Sequence, residues 1–90
     1  MFSIEFTNKY LKDLKLARKR QLPEDELNKV IKTLAEDKPL SAKYKDHSLS
    51  GNYAGLRECH IRPDWLLIYK KDDQLRILTL LRTGSHSDLF

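Results

Sequence analysis

The sequence predicts an α+β domain: an N-terminal strand, a two-helix hairpin packed on one face of a mainly antiparallel four-stranded sheet, and a short C-terminal tail. Three observations predict it. Phe2, Ile4 and Phe6 alternate with Ser3, Glu5 and Thr7, the period of a half-buried strand. Two stretches with apolar residues at helical spacing follow. Three runs rich in apolar and aromatic residues, roughly 56–61, 65–70 and 75–82, are separated by turn sequences.

Taken in order, Thr7 or Asn8 is placed to cap the first helix. That helix runs from Lys9 to about Arg20, with Tyr10, Leu11, Leu14 and Ala17 inward. Lys9, Lys12, Lys15, Arg18, Lys19 and Arg20 make its surface basic against one acid, Asp13, so it reads as a solvated face or a phosphate-contacting one. Gln21-Leu22-Pro23 breaks the helix, and Glu24, Asp25 and Glu26 suit the positive end of the next helix dipole. Leu27, Val30, Ile31, Leu34 and Ala35 form its apolar stripe. Residues 37–53 read as a long loop, the kind of segment that often carries function. In Arg62-Pro63-Asp64, proline and aspartate suit the two central positions of a type I turn.

Ninety residues, 40% hydrophobic and 33% charged, suffice for one core, so residues 1–90 read as a single domain and not a disordered chain. The lone cysteine, Cys59, excludes an internal disulfide and fits a reducing compartment. The N-terminus lacks the apolar run of a signal peptide, and no stretch is long enough to span a membrane. A cytoplasmic protein without a membrane partner is expected. The net charge of +4 points to a polyanion or an acidic protein as partner.

Strand register sharpens the expectation. With two-residue loops at Arg62-Pro63 and Asp72-Asp73, His60 lies opposite Trp65 and Trp65 opposite Leu80. One face then collects Cys59, Ile61, Leu66, Ile68, Ile77, Thr79 and Leu81, with Arg57 as its only charge, to lie under the helices. The other collects Glu58, His60, Trp65, Leu67, Tyr69, Arg76, Leu78 and Arg82. His60, Trp65 and Arg82 meet at one end of the sheet, where the tail carrying His86 and Phe90 departs.

Such a set suits metal-independent RNA cleavage by 2′-OH attack on phosphorus. His47, His60, Asp64 and His86 are the acid–base candidates, since imidazole titrates near working pH. Arg82 is the candidate phosphate clamp, and Trp65, Tyr69 and Phe90 are candidate stacking surfaces. Lys9, Lys12, Lys15, Arg18 and Lys19 are further candidate phosphate contacts. The histidines show no compact zinc spacing, so neither a metal nor a cofactor is expected.

Four blocks carry a resemblance: Tyr44-Lys-Asp-His47-Ser-Leu, Arg57-Glu-Cys-His60-Ile-Arg-Pro-Asp64-Trp65, Leu67-Ile-Tyr69, and Arg82-Thr-Gly-Ser-His86-Ser-Asp-Leu-Phe90. In this order and spacing the chain resembles the YafQ-like branch of the RelE/ParE toxin superfamily, over essentially its whole length. The resemblance implies a RelE-like fold and the toxin half of a type II toxin–antitoxin pair. It implies a ribosome-dependent mRNA endonuclease, an mRNA interferase, that cuts mRNA in the ribosomal A site. Its catalytic set falls on His47, His60, Asp64, Arg82, His86 and Phe90, beside Trp65. The implied partners are the ribosome with its mRNA and a cognate acidic antitoxin, with operator DNA reached only through that antitoxin. A ParE-like gyrase inhibitor, or a non-catalytic module binding RNA or antitoxin, would share the fold.

Overall fold

Chain order in the computed structural model, which describes residues 1–90, is β1 (Ser3–Phe6), α1 (Asn8–Lys19), α2 (Glu24–Ala35), β2 (His47–Ser48), β3 (Arg57–Arg62), β4 (Trp65–Asp72), β5 (Ile77–Gly84) and α3 (His86–Leu89). The sheet has five strands in the order β1-β5-β4-β3-β2. β1 runs parallel to β5, and the other pairs are antiparallel. The fifth strand is β2, two residues drawn from the expected loop, which also holds 3-10 turns at Ala42–Tyr44 and Gly51–Tyr53.

Thr7 turns the chain from strand into helix. Its hydroxyl accepts the Tyr10 N–H at 3.0 Å and donates to the Leu81 carbonyl at 2.8 Å. One side chain thus caps α1 and fastens it to β5. Arg18 pairs with Glu24 across the link between α1 and α2, at 2.7 Å. The tail, expected to be irregular, forms α3. Ser85 Oγ accepts the Asp88 N–H while the Asp88 carboxylate accepts the Ser85 N–H, a capping box.

Tyr10, Ala17, Leu27, Val30 and Leu34 pack on Cys59, Ile61, Trp65, Leu67, Tyr69, Leu78 and Leu80. Across the sheet, Leu66, Ile68 and Leu89 form a second cluster with Leu49, Leu56 and Leu81 against it. The expected register is therefore right for β3 and wrong for β4 and β5. His60 pairs with Leu66, not Trp65, and Tyr69 with Leu80. The first turn is Pro63-Asp64, closed by Arg62 and Trp65, with an irregularity after His60. The second loop spans residues 73–76, and the Asp72 carboxylate accepts the Gln74 and Leu75 N–H groups there. The physical reason is that β4 is covered on both faces. A doubly buried strand reads as an unbroken apolar run, and nothing in Trp65-Leu-Leu-Ile-Tyr69 says which alternate set meets the helices.

Arg20 reaches Asp88 at 2.6 Å, pinning α3 to the end of α1. That hydrogen bond, reinforced by the Ser85 N–H, holds the Asp88 carboxyl well below the usual carboxylate range. As pH falls, the unfolded chain takes up the proton first. The stabilisation is complete above the unfolded carboxyl pKa of about 3.9 and is lost as pH falls through the lower folded value. Denaturant midpoints measured from about pH 5 to about pH 2 should fall less steeply for Asp88→Asn than for wild type. Equal slopes would contradict this role.

Candidate active site

β3 sets the site on the face away from α1 and α2. Glu58 and His60 are two residues apart and share that face. The Glu58 side chain is only 7% exposed, and its Oε1 lies 3.4 Å from His60 Nε2 and 3.8 Å from His47 Nε2. β2 delivers His47 by pairing it with Glu58. The His47 Nδ1–H donates to the Lys45 carbonyl at 2.7 Å, and Lys45 sits in the left-handed region at φ 49°. His60 Nδ1 faces the Pro63 carbonyl at 3.3 Å.

His86 arrives on the first residue of α3. Asp64 Oδ1 accepts its backbone N–H at 2.9 Å and its Nδ1–H at 2.7 Å. These bonds, the backbone one foremost, hold the Asp64 carboxyl below its ordinary value. Ring centroids stand 6.4 Å apart for His47 and His60 and 5.7 Å for His60 and His86. Three imidazoles thus form a row, each with Nδ1 committed to an oxygen. Nε2 is the nitrogen left to gain or lose a proton.

The other expected residues divide. Arg82 Nε and Nη2 bind Asp13 at 2.7 and 3.2 Å, a pair that raises the guanidinium's already high pKa. Arg82 lines a groove of about 330 Å³ with Lys9, Tyr53, Leu56 and Leu89, beside the histidine row and not within it. Phe90 is exposed and meets Tyr53 edge to face, with centroids 5.5 Å apart. Lys12, Lys15, Arg18 and Lys19 lie exposed along α1, on the helix layer across the sheet from His60.

Trp65 and Tyr69 are corrected. They are 2% and 1% exposed, because β4 is central and they face the helices. Trp65 Nε1–H donates to Thr83 Oγ1 at 2.9 Å, and that hydroxyl donates to the Leu66 carbonyl. Tyr69 hydrogen-bonds Asp46 and Arg57; burial, then the Asp46 contact, pushes its phenol up. Neither ring presents a face to a base. Two residues of the site were not expected from sequence. Glu58 was legible as a carboxylate one alternation before His60, while Tyr53 lay in the irregular loop with no periodic signal.

Glu58, His60 and His86 also hold one donor atom each within 4.8 Å of one another, a nitrogen–oxygen set that suits zinc or copper. Sequence spacing could not show it, because His86 joins Glu58 and His60 of β3 from α3, far along the chain.

A family model described as "Bacterial toxin of type II toxin-antitoxin system, YafQ" matches residues 2–90. The chain belongs to the YafQ toxin family. Within it, the chain is 46% identical over 88 residues to the mRNA interferase toxin YafQ of Escherichia coli K12, covering 97% of this chain and 94% of that one. Its fold matches YafQ in the E. coli DinJ–YafQ complex with TM-score 0.91 and 41% identity, covering 100% and 99%. It matches a metal-bound toxin from Helicobacter pylori with TM-score 0.94 and 47% identity, covering both chains fully. The expected RelE-like α+β fold of the RelE/ParE superfamily is thereby established, with one strand more than the sequence suggested.

Trp65 is the only tryptophan, so its fluorescence tests the burial directly. Acrylamide should quench it weakly, and single-stranded RNA should leave its emission unchanged. Strong quenching by either would return Trp65 to the stacking surface.

Proposed function

We propose that this chain is a ribosome-dependent mRNA endonuclease, the toxin of a type II pair, that cuts translated mRNA in the ribosomal A site. The observation that carries the reading is the row of three imidazoles around a buried Glu58, with Asp64 orienting His86. A phosphodiester lying between His60 and His86 meets an acid and a base at once. The unprotonated Nε2 of one takes the 2′-OH proton as O2′ attacks phosphorus. The protonated Nε2 of the other gives its proton to O5′ as the P–O5′ bond breaks. A 2′,3′-cyclic phosphate and a 5′-OH result, with one proton accepted and one donated.

Roles follow from position. Asp64 fixes the His86 tautomer and ring plane. Glu58 holds the Nε2 edges of His60 and His47 within 3.8 Å of one carboxylate oxygen. His47 adds a further positive group at the other end of the row when protonated. Arg82 keeps Nη1 outside its pair with Asp13 and, lining the adjoining groove, is the group that would steady phosphate charge there. Exposed Phe90, paired edge to face with Tyr53, is the candidate ring for stacking a base of the bound strand. The E. coli relatives' names and the DinJ complex support an mRNA substrate and a cognate antitoxin, whose acidic surface the net +4 charge would attract. The repressing complex reaches operator DNA through the antitoxin, and the protein works in the cytoplasm.

The chemistry needs no metal. An ion held by Glu58, His60 and His86, as the donor set permits, would take the nitrogens that move protons. Primer extension on mRNA with purified ribosomes is the test. Wild type should leave cuts, while His60→Ala and His86→Ala should cut at least about 10²-fold more slowly. A transition-metal chelator that spares ribosomal magnesium should leave cutting intact, and added copper should suppress it. Equal cutting by both variants, or activity restored to a chelated sample by zinc, would contradict the mechanism. Absence of cuts from wild type would favour a gyrase inhibitor or a purely binding module.

A further inference from the structure

A cleft of about 430 Å³ adjoins the histidine row at His60, lined by residues of α2, the Ala42–Tyr44 turn and β3 with the Pro63 turn. Lys29, Lys43, Lys45 and Arg62 line it against a single carboxylate, Glu26. That carboxylate is taken, since Glu26 pairs with Arg62 at 2.8 Å. The three lysines have no acidic partner. Lys43 Nζ lies 5.0 Å over the Tyr44 ring, in the cleft wall. His60 belongs to both places, lining the cleft while its Nε2 faces Glu58.

We propose that this cleft binds the sugar–phosphate backbone of the RNA strand as it leaves the cleavage site. The proposal takes RNA as ligand from the functional reading above and adds a second binding region to it. Three lysines without partners leave a local positive field that the surface does not neutralise. A point charge on a flexible stem suits a phosphate whose position shifts with sequence. Tyr44 offers an aromatic surface for a ribose or base beside those phosphates. An acidic peptide is the less suitable occupant. Apart from Tyr44, His60, Ile61 and Pro63 the lining is charged, and Ile61 is 7% exposed, so an amphipathic helix would find little apolar floor. Continuity supplies the direction. Because His60 lines the cleft as well as the histidine row, a strand with its scissile phosphate at His60 Nε2 extends into the cleft and its lysines. The Lys45 carbonyl also holds His47, so cleft and catalytic row share one loop.

Fluorescence anisotropy with a single-stranded 2′-O-methyl oligoribonucleotide tests this without cleavage, because no attacking hydroxyl is present. Lys29 and Lys43 are exposed, so their substitution leaves the core intact. Lys29→Ala/Lys43→Ala should weaken binding by about tenfold or more and flatten the log Kd against log salt slope by about 1.4, roughly 0.7 for each phosphate that a lysine no longer neutralises. Lys29→Arg/Lys43→Arg should keep both values near wild type. Lys12→Ala/Lys15→Ala, on α1 and outside the cleft lining, should change neither. An unchanged slope in the alanine cleft variant would overturn the proposal. So would an equal loss in the α1 variant, or weaker binding to mRNA-free ribosomes or antitoxin alone. Cleft-dependent binding by a wild type that cuts no mRNA would uphold the cleft and contradict only the nuclease reading.

Discussion

A carboxylate withdrawn from water needs polar partners close by, and Glu58 has the Nε2 atoms of two imidazoles within 3.8 Å. Much of the active face follows from that need. β2 is only two residues long, yet it pairs with β3 at the position that sets His47 beside Glu58. The left-handed backbone at Lys45 turns the chain so that its carbonyl receives the same imidazole. A non-glycine residue in that region is uncommon, and here it lies two residues from a site histidine.

The third imidazole is secured differently. α3 is a single turn, too short to persist alone. It is held by Asp64 on His86, by Arg20 on Asp88, by its own capping box and by Leu89 against Leu66 and Ile68. Each attachment comes from a different segment. The tail is thus positioned by few, separate contacts over a sheet that is itself packed on both faces. Rigidity belongs to β4, and the chemistry hangs from the edges and the terminus.

How much of this is legible in the sequence depends on whether a segment has one buried face or two. The alternation in β1 and the apolar stripe of α2 each have a single buried side, and both emerge from the pattern of residues. β3 does too, since Glu58 and His60 mark its polar side against Cys59 and Ile61. β4 has no polar side between Trp65 and Tyr69, so its expected register rests on assumed loop lengths and is inverted. That inversion turns two core aromatics into stacking surfaces, while Tyr53, the exposed ring that does meet Phe90, goes unread in the irregular loop. His47, His60, Asp64 and His86 stand out as residue types fit for proton transfer, and their blocks resemble a known family. Their mutual geometry is not available from spacing, because it depends on β2 and α3, both of which read as irregular.

Glu58→Gln is the substitution that separates a working carboxylate from a structural one, since the amide keeps the shape and removes the charge. Far-UV circular dichroism should show an unchanged fold, and cleavage of ribosome-bound mRNA should fall by on the order of 10²-fold. A folded Glu58→Gln chain that cuts at the wild-type rate would contradict the account.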